Sequence, residues 1–115
     1  MSLPIFSQEQ AKHYPLPGGE CWLYPDCDTG RLSCAYVEQT GRYPEKGFRK
    51  NLTCTEAFFV LDGEMDIIIN GEKQRLKQHD VVYVPLNTPY AVEGKGRTLV
   101  FIEPKWDSAQ NVQVD

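Results

Sequence analysis

The chain has 115 residues, 41% apolar and 24% charged, with 16 acidic against 12 basic side chains and a net charge of −4. A chain of this length builds one hydrophobic core and not two, because folding at this size buries roughly two-thirds of the unfolded surface. An acidic balance without a Lys/Arg cluster excludes the footprint of a nucleic-acid binder, and apolar runs as short as Ala57–Leu61 fall far below a membrane span.

Met1–Gln10 has neither the basic nor the apolar region of an export signal, so the expected compartment is the cytoplasm. Residues 1–19, with Pro4, Pro15 and Pro17, read as an N-terminal arm. Within it, Ser7–His13 suits one short helix, with Ser7 as N-cap and Gln10 at the third helical position. Beyond the arm, short β-branched and aromatic runs alternate with Gly, Pro, Asn and Asp. They predict strands at Glu20–Tyr24, Arg31–Glu38, Phe48–Thr53, Thr55–Leu61, Glu64–Ile69, Glu72–Lys77, Val81–Val84, Tyr90–Glu93 and Arg97–Glu103. Asn70-Gly71 is the strongest hairpin signal, since a type I′ turn needs positive φ at both central residues, and Asp62-Gly63 predicts a second tight turn. Lys73–Gln78 contains helix formers, but the Asn-Gly turn before it favours a hairpin strand. Residues 104–115 read as a polar tail packed by Trp106. The expectation is a single all-β domain with little or no helix: arm 1–19, barrel or sandwich 20–103, tail 104–115.

Cys21, Cys27, Cys34 and Cys54 are separated by five, six and nineteen residues, so no C-x-x-C metal or redox motif is present. Without an export signal the expectation is four reduced thiols packed as small hydrophobes.

Two segments carry more than a strand pattern. Thr55–Glu64 contains a glutamate, six residues and a glycine, Glu56 and Gly63. His79–Tyr90 contains Asp80, an apolar run and Pro85. From Asn51 to Pro104 the chain thereby resembles a small single-domain cupin with degenerate motifs, and the resemblance implies a cupin-type double-stranded β-helix (jelly-roll) barrel. Metal-binding members use a His-x-His pair, the motif-one glutamate and a motif-two histidine. Aligned here, the pair falls on Arg49 and Asn51, or on Lys50 and Leu52, and the last histidine falls on Tyr90, so only Glu56 remains. His79 takes the place of a turn glycine and His13 lies in the arm. First-row metals want imidazole and carboxylate ligands, so the expectation is no metal and no cofactor. An improvised set of Cys54, Glu56 and Asn51 falls short of the shells of known sites.

The resemblance also implies a cavity. Its expected lining near one mouth is Arg49, Asn51, Cys54, Glu56, Phe58, Tyr83 and Tyr90, with Trp22 and Tyr36 as further aromatic neighbours. Such a set suits a polar sugar-like or acid-like ligand, with Arg49 offering bidentate recognition of a carboxylate or phosphate. The plainer alternative is that Arg49 and Glu56 neutralise each other. If the protein is an enzyme, the expected catalytic pair is Glu56, held protonated among aromatic rings, and Tyr90 opposite. That chemistry resembles metal-free isomerases and epimerases built on cupin barrels; an atypical metal-dependent enzyme is the other variant. Cys54 lacks a histidine to activate it as a nucleophile. Leu3, Ile5 and Phe6 make the arm too apolar to stand alone, and small cupins pair, so a homodimer is expected.

Overall fold

In the computed structural model the described residues are 3–115, so the first two residues of the expected arm lie outside them. Alternating burial sends the chain into ten strands: β1 Lys12–Leu16, β2 Gly19–Leu23, β3 Ser33–Gln39, β4 Arg42–Tyr43, β5 Phe48–Asn51, β6 Thr55–Ile69, β7 Glu72–Leu76, β8 Val81–Val84, β9 Tyr90–Glu103 and β10 Asn111–Val114. They form one curled sheet, the jelly-roll barrel of the cupin fold. Its spine is the antiparallel pair β6 and β9, in register from Thr55↔Glu103 to Ile69↔Tyr90. β3, β4 and β5 pair with the other edge of β9, while β7 and β8 pair with β6.

Curling of the β6–β9 ribbon creates the site. Glu56 and Tyr90 stand near opposite ends of that ladder. Extended, the thirteen steps from residue 56 to residue 69 would span about 43 Å at 3.3 Å each. Instead the ribbon bends until the Tyr90 hydroxyl lies 3.1 Å from the Glu56 carboxyl.

Several predicted boundaries move. Asp62-Gly63 is not a turn: β6 runs straight through it with a bulge between Val60 and Asp62. Before the bulge Glu56, Phe58 and Val60 face inward; after it Met65 and Ile67 do, because one extra residue shifts the alternation. The predicted strands 90–93 and 97–103 likewise fuse into β9, where Gly94 and Gly96 let the two backbones approach closely.

Both ends of the chain join the sheet. Residues 12–16 of the expected arm pair with β2, and residues 111–114 of the expected tail pair with β5, each covering an edge that would otherwise stay open. The helix expected at Ser7–His13 shrinks to a single turn, Gln8–Gln10, with the Gln10 side chain accepting from the Ser7 backbone N–H. His13 is drawn into β1, which ends the turn. No disulfide links the cysteines: Cys54 is buried, Cys21 and Cys34 are half-buried, and Cys27 is exposed in the loop between β2 and β3 rather than packed. Among the described residues no helix is long and apolar enough to cross a membrane.

Candidate functional site

Inward-facing side chains of β1, β2, β3, β6 and β9 enclose a cavity of about 450 Å³. Most of its wall is aliphatic or aromatic, including Leu23, Val37, Phe58, Met65, Val100 and Ile102. Exposed lining residues Lys12, Pro15 and Ser108 mark the opening. Besides Lys12 and Tyr14, the ionisable groups Cys21, Tyr43, Glu56 and Tyr90 line it.

Glu56 is 5% exposed. Its Oε1 accepts from Asn51 Nδ2 at 2.6 Å and from the Tyr90 hydroxyl at 3.1 Å. Oε2 has no protein partner, yet no fully buried side-chain oxygen of the described residues lacks one, so Oε2 opens onto the cavity. Burial raises the Glu56 pKa above the ordinary carboxyl range, because the donors from Asn51 and Tyr90 only partly offset the loss of water. The Tyr90 phenol is pushed well above its ordinary value by burial and by the Glu56 charge. Cys21 is pushed up to about 11 for the same two reasons. Burial also raises Tyr43, whose hydroxyl has no hydrogen-bond partner among the described residues and, by the same reasoning as for Oε2, stays accessible.

Of the residues expected from sequence, Glu56, Phe58 and Tyr90 line the cavity together, the last two rings packing edge-on at 5.9 Å. Asn51 is fully buried one step behind, holding Glu56. Arg49 lies outside the cavity. Its guanidinium donates instead to Asn111 and Gln113 and lines a separate cleft with Tyr43 and Pro44. It makes no ion pair with Glu56. Cys54 is buried away from the cavity, its thiol against the carbonyls of Pro104 and Lys105. Tyr83 is 67% exposed on the outer face of β8, since strand alternation turns Val84 inward and Tyr83 outward. Trp22 and Tyr36 pack against each other, rings tilted, on that outer face as well.

The sequence reading missed Tyr43, Cys21, Gln110 and Asn111. The last two come from the supposed tail and complete the polar network behind Glu56. An alternating Cys21-Trp22-Leu23 run and the polar pair Gln110-Asn111 before an apolar residue were the available signals.

The donors at this end do not suit the divalent metal that the resemblance implies for metal-binding cupins. Arg49 is cationic and bonded to Asn111, both polar atoms of Asn51 are engaged, and Tyr90 strongly resists ionisation. Among the described residues, no three His, Cys, Asp or Glu side chains cluster as metal ligands would.

Residues 51–103 match the cupin domain family. A search of curated proteins finds no match. Among solved structures, a Streptomyces PAC13 variant with uridine superposes with a TM-score of 0.89 at 18% identity, covering 99% of this chain and 92% of that one. Pac13, described as a unique nucleoside dehydratase, gives 0.88 at 16% identity, with 98% and 92% covered. KdgF from Halomonas sp. gives 0.74 at 17% identity, with 94% and 99% covered. At these identities the likeness is one of fold.

Proposed function

We propose, from the premise that this chain is a cupin, that it binds a small oxygen-bearing organic molecule inside the barrel, with a neutral polar group of the ligand against Glu56. The observation that carries this reading is Glu56 Oε2, open to an otherwise apolar cavity of about 450 Å³, a size suited to one small ligand. Burial raises the pKa of Glu56, Tyr43, Tyr90 and Cys21 and so favours their uncharged forms, and the side chains bonded to Glu56 are the neutral Asn51 and Tyr90. A carboxylate or phosphate is therefore disfavoured there, and a sugar or nucleoside hydroxyl or carbonyl is favoured. The uridine held by a PAC13 barrel supports the same class.

A second reading, metal-free acid–base catalysis, is favoured by the accessible Tyr43 hydroxyl beside Glu56, which offers two proton-carrying groups on one wall. Calorimetry against nucleosides, neutral sugars and sugar acids tests both readings. At least one neutral compound is expected to bind wild type and to lose binding in Ala35→Phe, which adds a ring to the cavity wall; Ala35 is buried and lines the cavity. If a bound compound is turned over, Glu56→Gln slows it by about 10²–10⁴. Absence of binding across the panel, or binding that survives Ala35→Phe, rules out the barrel as the site.

The proposed partner is a second copy of the chain. Outward residues Val81, Phe59, Leu99, Tyr36 and Trp22 lie side by side across five strands, with Tyr83, Ala57, Phe101 and Cys34 in the next row. Five strands by two rows make an apolar face of roughly 300 Å², the size that marks interaction surfaces. A stable dimer needs about 800 Å² per partner, and the exposed arm residues Leu3, Ile5 and Phe6 supply further apolar area. Light scattering should give twice the chain mass at micromolar concentration and a single-chain mass for Tyr83→Lys with Phe59→Lys. A single-chain mass for wild type refutes the dimer.

A further inference from the structure

The polar network behind Glu56 has a direction, because two of its inputs can only donate. Gln110 Oε1 receives the backbone N–H groups of Thr53 and Cys54 at 3.1 and 3.0 Å. A backbone N–H has no acceptor role, so the Gln110 amide cannot turn over, and its Nε2 must face Asn51 Oδ1, 2.8 Å away. Arg49 Nε, also donor-only, meets Asn111 Oδ1 at 2.5 Å. That orientation turns Asn111 Nδ2 toward Asn51 Oδ1 at 2.8 Å and the Tyr90 oxygen at 3.4 Å.

Asn51 Oδ1 thus accepts twice, and its Nδ2 is left to donate to Glu56 Oε1. Tyr90 accepts from Asn111 and donates to the same Oε1. Both inputs end on one oxygen, whose two lone pairs are then used. A proton on Oε1 would have to be given to the Tyr90 oxygen, turning the phenol hydrogen toward the Asn111 amide, itself a donor. The network excludes that arrangement.

We infer that Gln110 and Asn111 are positioning residues, which act through Asn51 and Tyr90 to fix Glu56 so that Oε2 alone carries its exchangeable proton into the cavity. This deepens the reading of the barrel as a binding site and rests on it for its functional meaning. The ligand class narrows with it. While Glu56 is protonated, the ligand atom at Oε2 must be an acceptor, such as a carbonyl, ether or hydroxyl oxygen. The C-terminal segment, separated from Glu56 by more than fifty residues of sequence, sets the polarity of the site.

Neutron diffraction of the deuterated wild-type protein, below the pH at which Glu56 ionises, reads the proton directly. Deuterium is expected on Oε2, with both Asn51 amide deuteriums on Nδ2 and one pointing at Oε1. Deuterium on Oε1, or an Asn51 amide turned over, overturns the inference. The positioning role is read from the carbon-13 titration of Glu56 in Gln110→Met and Asn111→Leu, near-isosteric changes that remove the donors. In whichever variant folds, the Glu56 midpoint is expected to rise by about one pH unit, as Asn51 and Tyr90 lose the partners that hold them as donors to the charged form. A midpoint that stays at the wild-type value, even with lowered stability, reduces Gln110 and Asn111 to structural residues. Neither measurement uses a ligand, so a correct proton position with no binding in the calorimetric panel would sink the binding reading alone.

Discussion

Glu56→Gln is expected to flatten the pH dependence of folding stability while leaving the barrel intact. The carboxyl is buried without a cation beside it, and its folded-state pKa is raised by that burial. A raised pKa means that the folded state holds the proton more tightly than the unfolded chain. The stabilisation is complete below the ordinary carboxyl pKa of 4.5 and is lost as pH rises through the folded-state value. Between those limits the wild type should lose up to about 1.4 kcal/mol per pH unit. Glutamine keeps the two bonds that end on Oε1, from Asn51 and Tyr90, and turns a neutral amide nitrogen toward the cavity. It has no proton to lose, so the variant should overtake the wild type as pH rises. Asp62 and Asp66 shift the other way, held down by Arg97 and Arg75, and their contributions fade only as pH falls below the ordinary range. Urea unfolding at a series of pH values separates the two behaviours. Parallel curves for wild type and Glu56→Gln would mean that the carboxyl titrates as it does in water.

The second large effect concerns the bend that brings Glu56 to Tyr90. Gly63 sits just after the bulge in β6 at φ 98°, and a Cβ there would collide with Gly96 Cα and the Lys95 carbonyl, both backbone. Nothing flexible is available to move. Gly63→Ala is therefore expected to cost about 3 kcal/mol or more, or to prevent folding. Gly71→Ala is the matched control. Its φ is 84°, but no atom lies within 4 Å of the added carbon, so only the left-handed backbone penalty of about 1–2 kcal/mol applies. Equal losses for the two substitutions, by thermal or denaturant unfolding, would show that the cross-strand approach at Gly63 contributes nothing.

The same bulge explains how much of the fold was legible in the sequence. Strand alternation and the Asn70-Gly71 hairpin depend on neighbours in the chain, and both are where the sequence places them. Asp62-Gly63 carries an equally good local turn signal. In the structure the partner strand β9 continues past it with Gly94 and Gly96, so pairing overrides the turn and converts it to a bulge. The hidden strands β1 and β10 lie in segments rich in proline or polar residues, and only the open edges of β2 and β5 recruit them.

The candidate site divides along the same line. Glu56, Phe58 and Tyr90 were readable because motif and alternation together turn them inward. Arg49 was assigned to the cavity by alignment alone, and hydrogen bonds to Asn111 and Gln113 of β10 hold its guanidinium in a separate cleft. Tyr83 was misplaced by one step of the pleat. Gln110 and Asn111 carry only the weak local signal of a polar pair before an apolar residue, and their shared partner Asn51 lies more than fifty residues away.

The sequence by itself determined an all-β barrel of cupin type and a chain poor in the histidines such barrels use for metals, since composition and nearest-neighbour alternation are local properties. Only the tertiary structure decided which oxygen of Glu56 meets the cavity and which residues hold it there. That choice is made by hydrogen bonds between groups as far apart in sequence as Asn51 and Asn111, and their directions exist only once the sheet has closed.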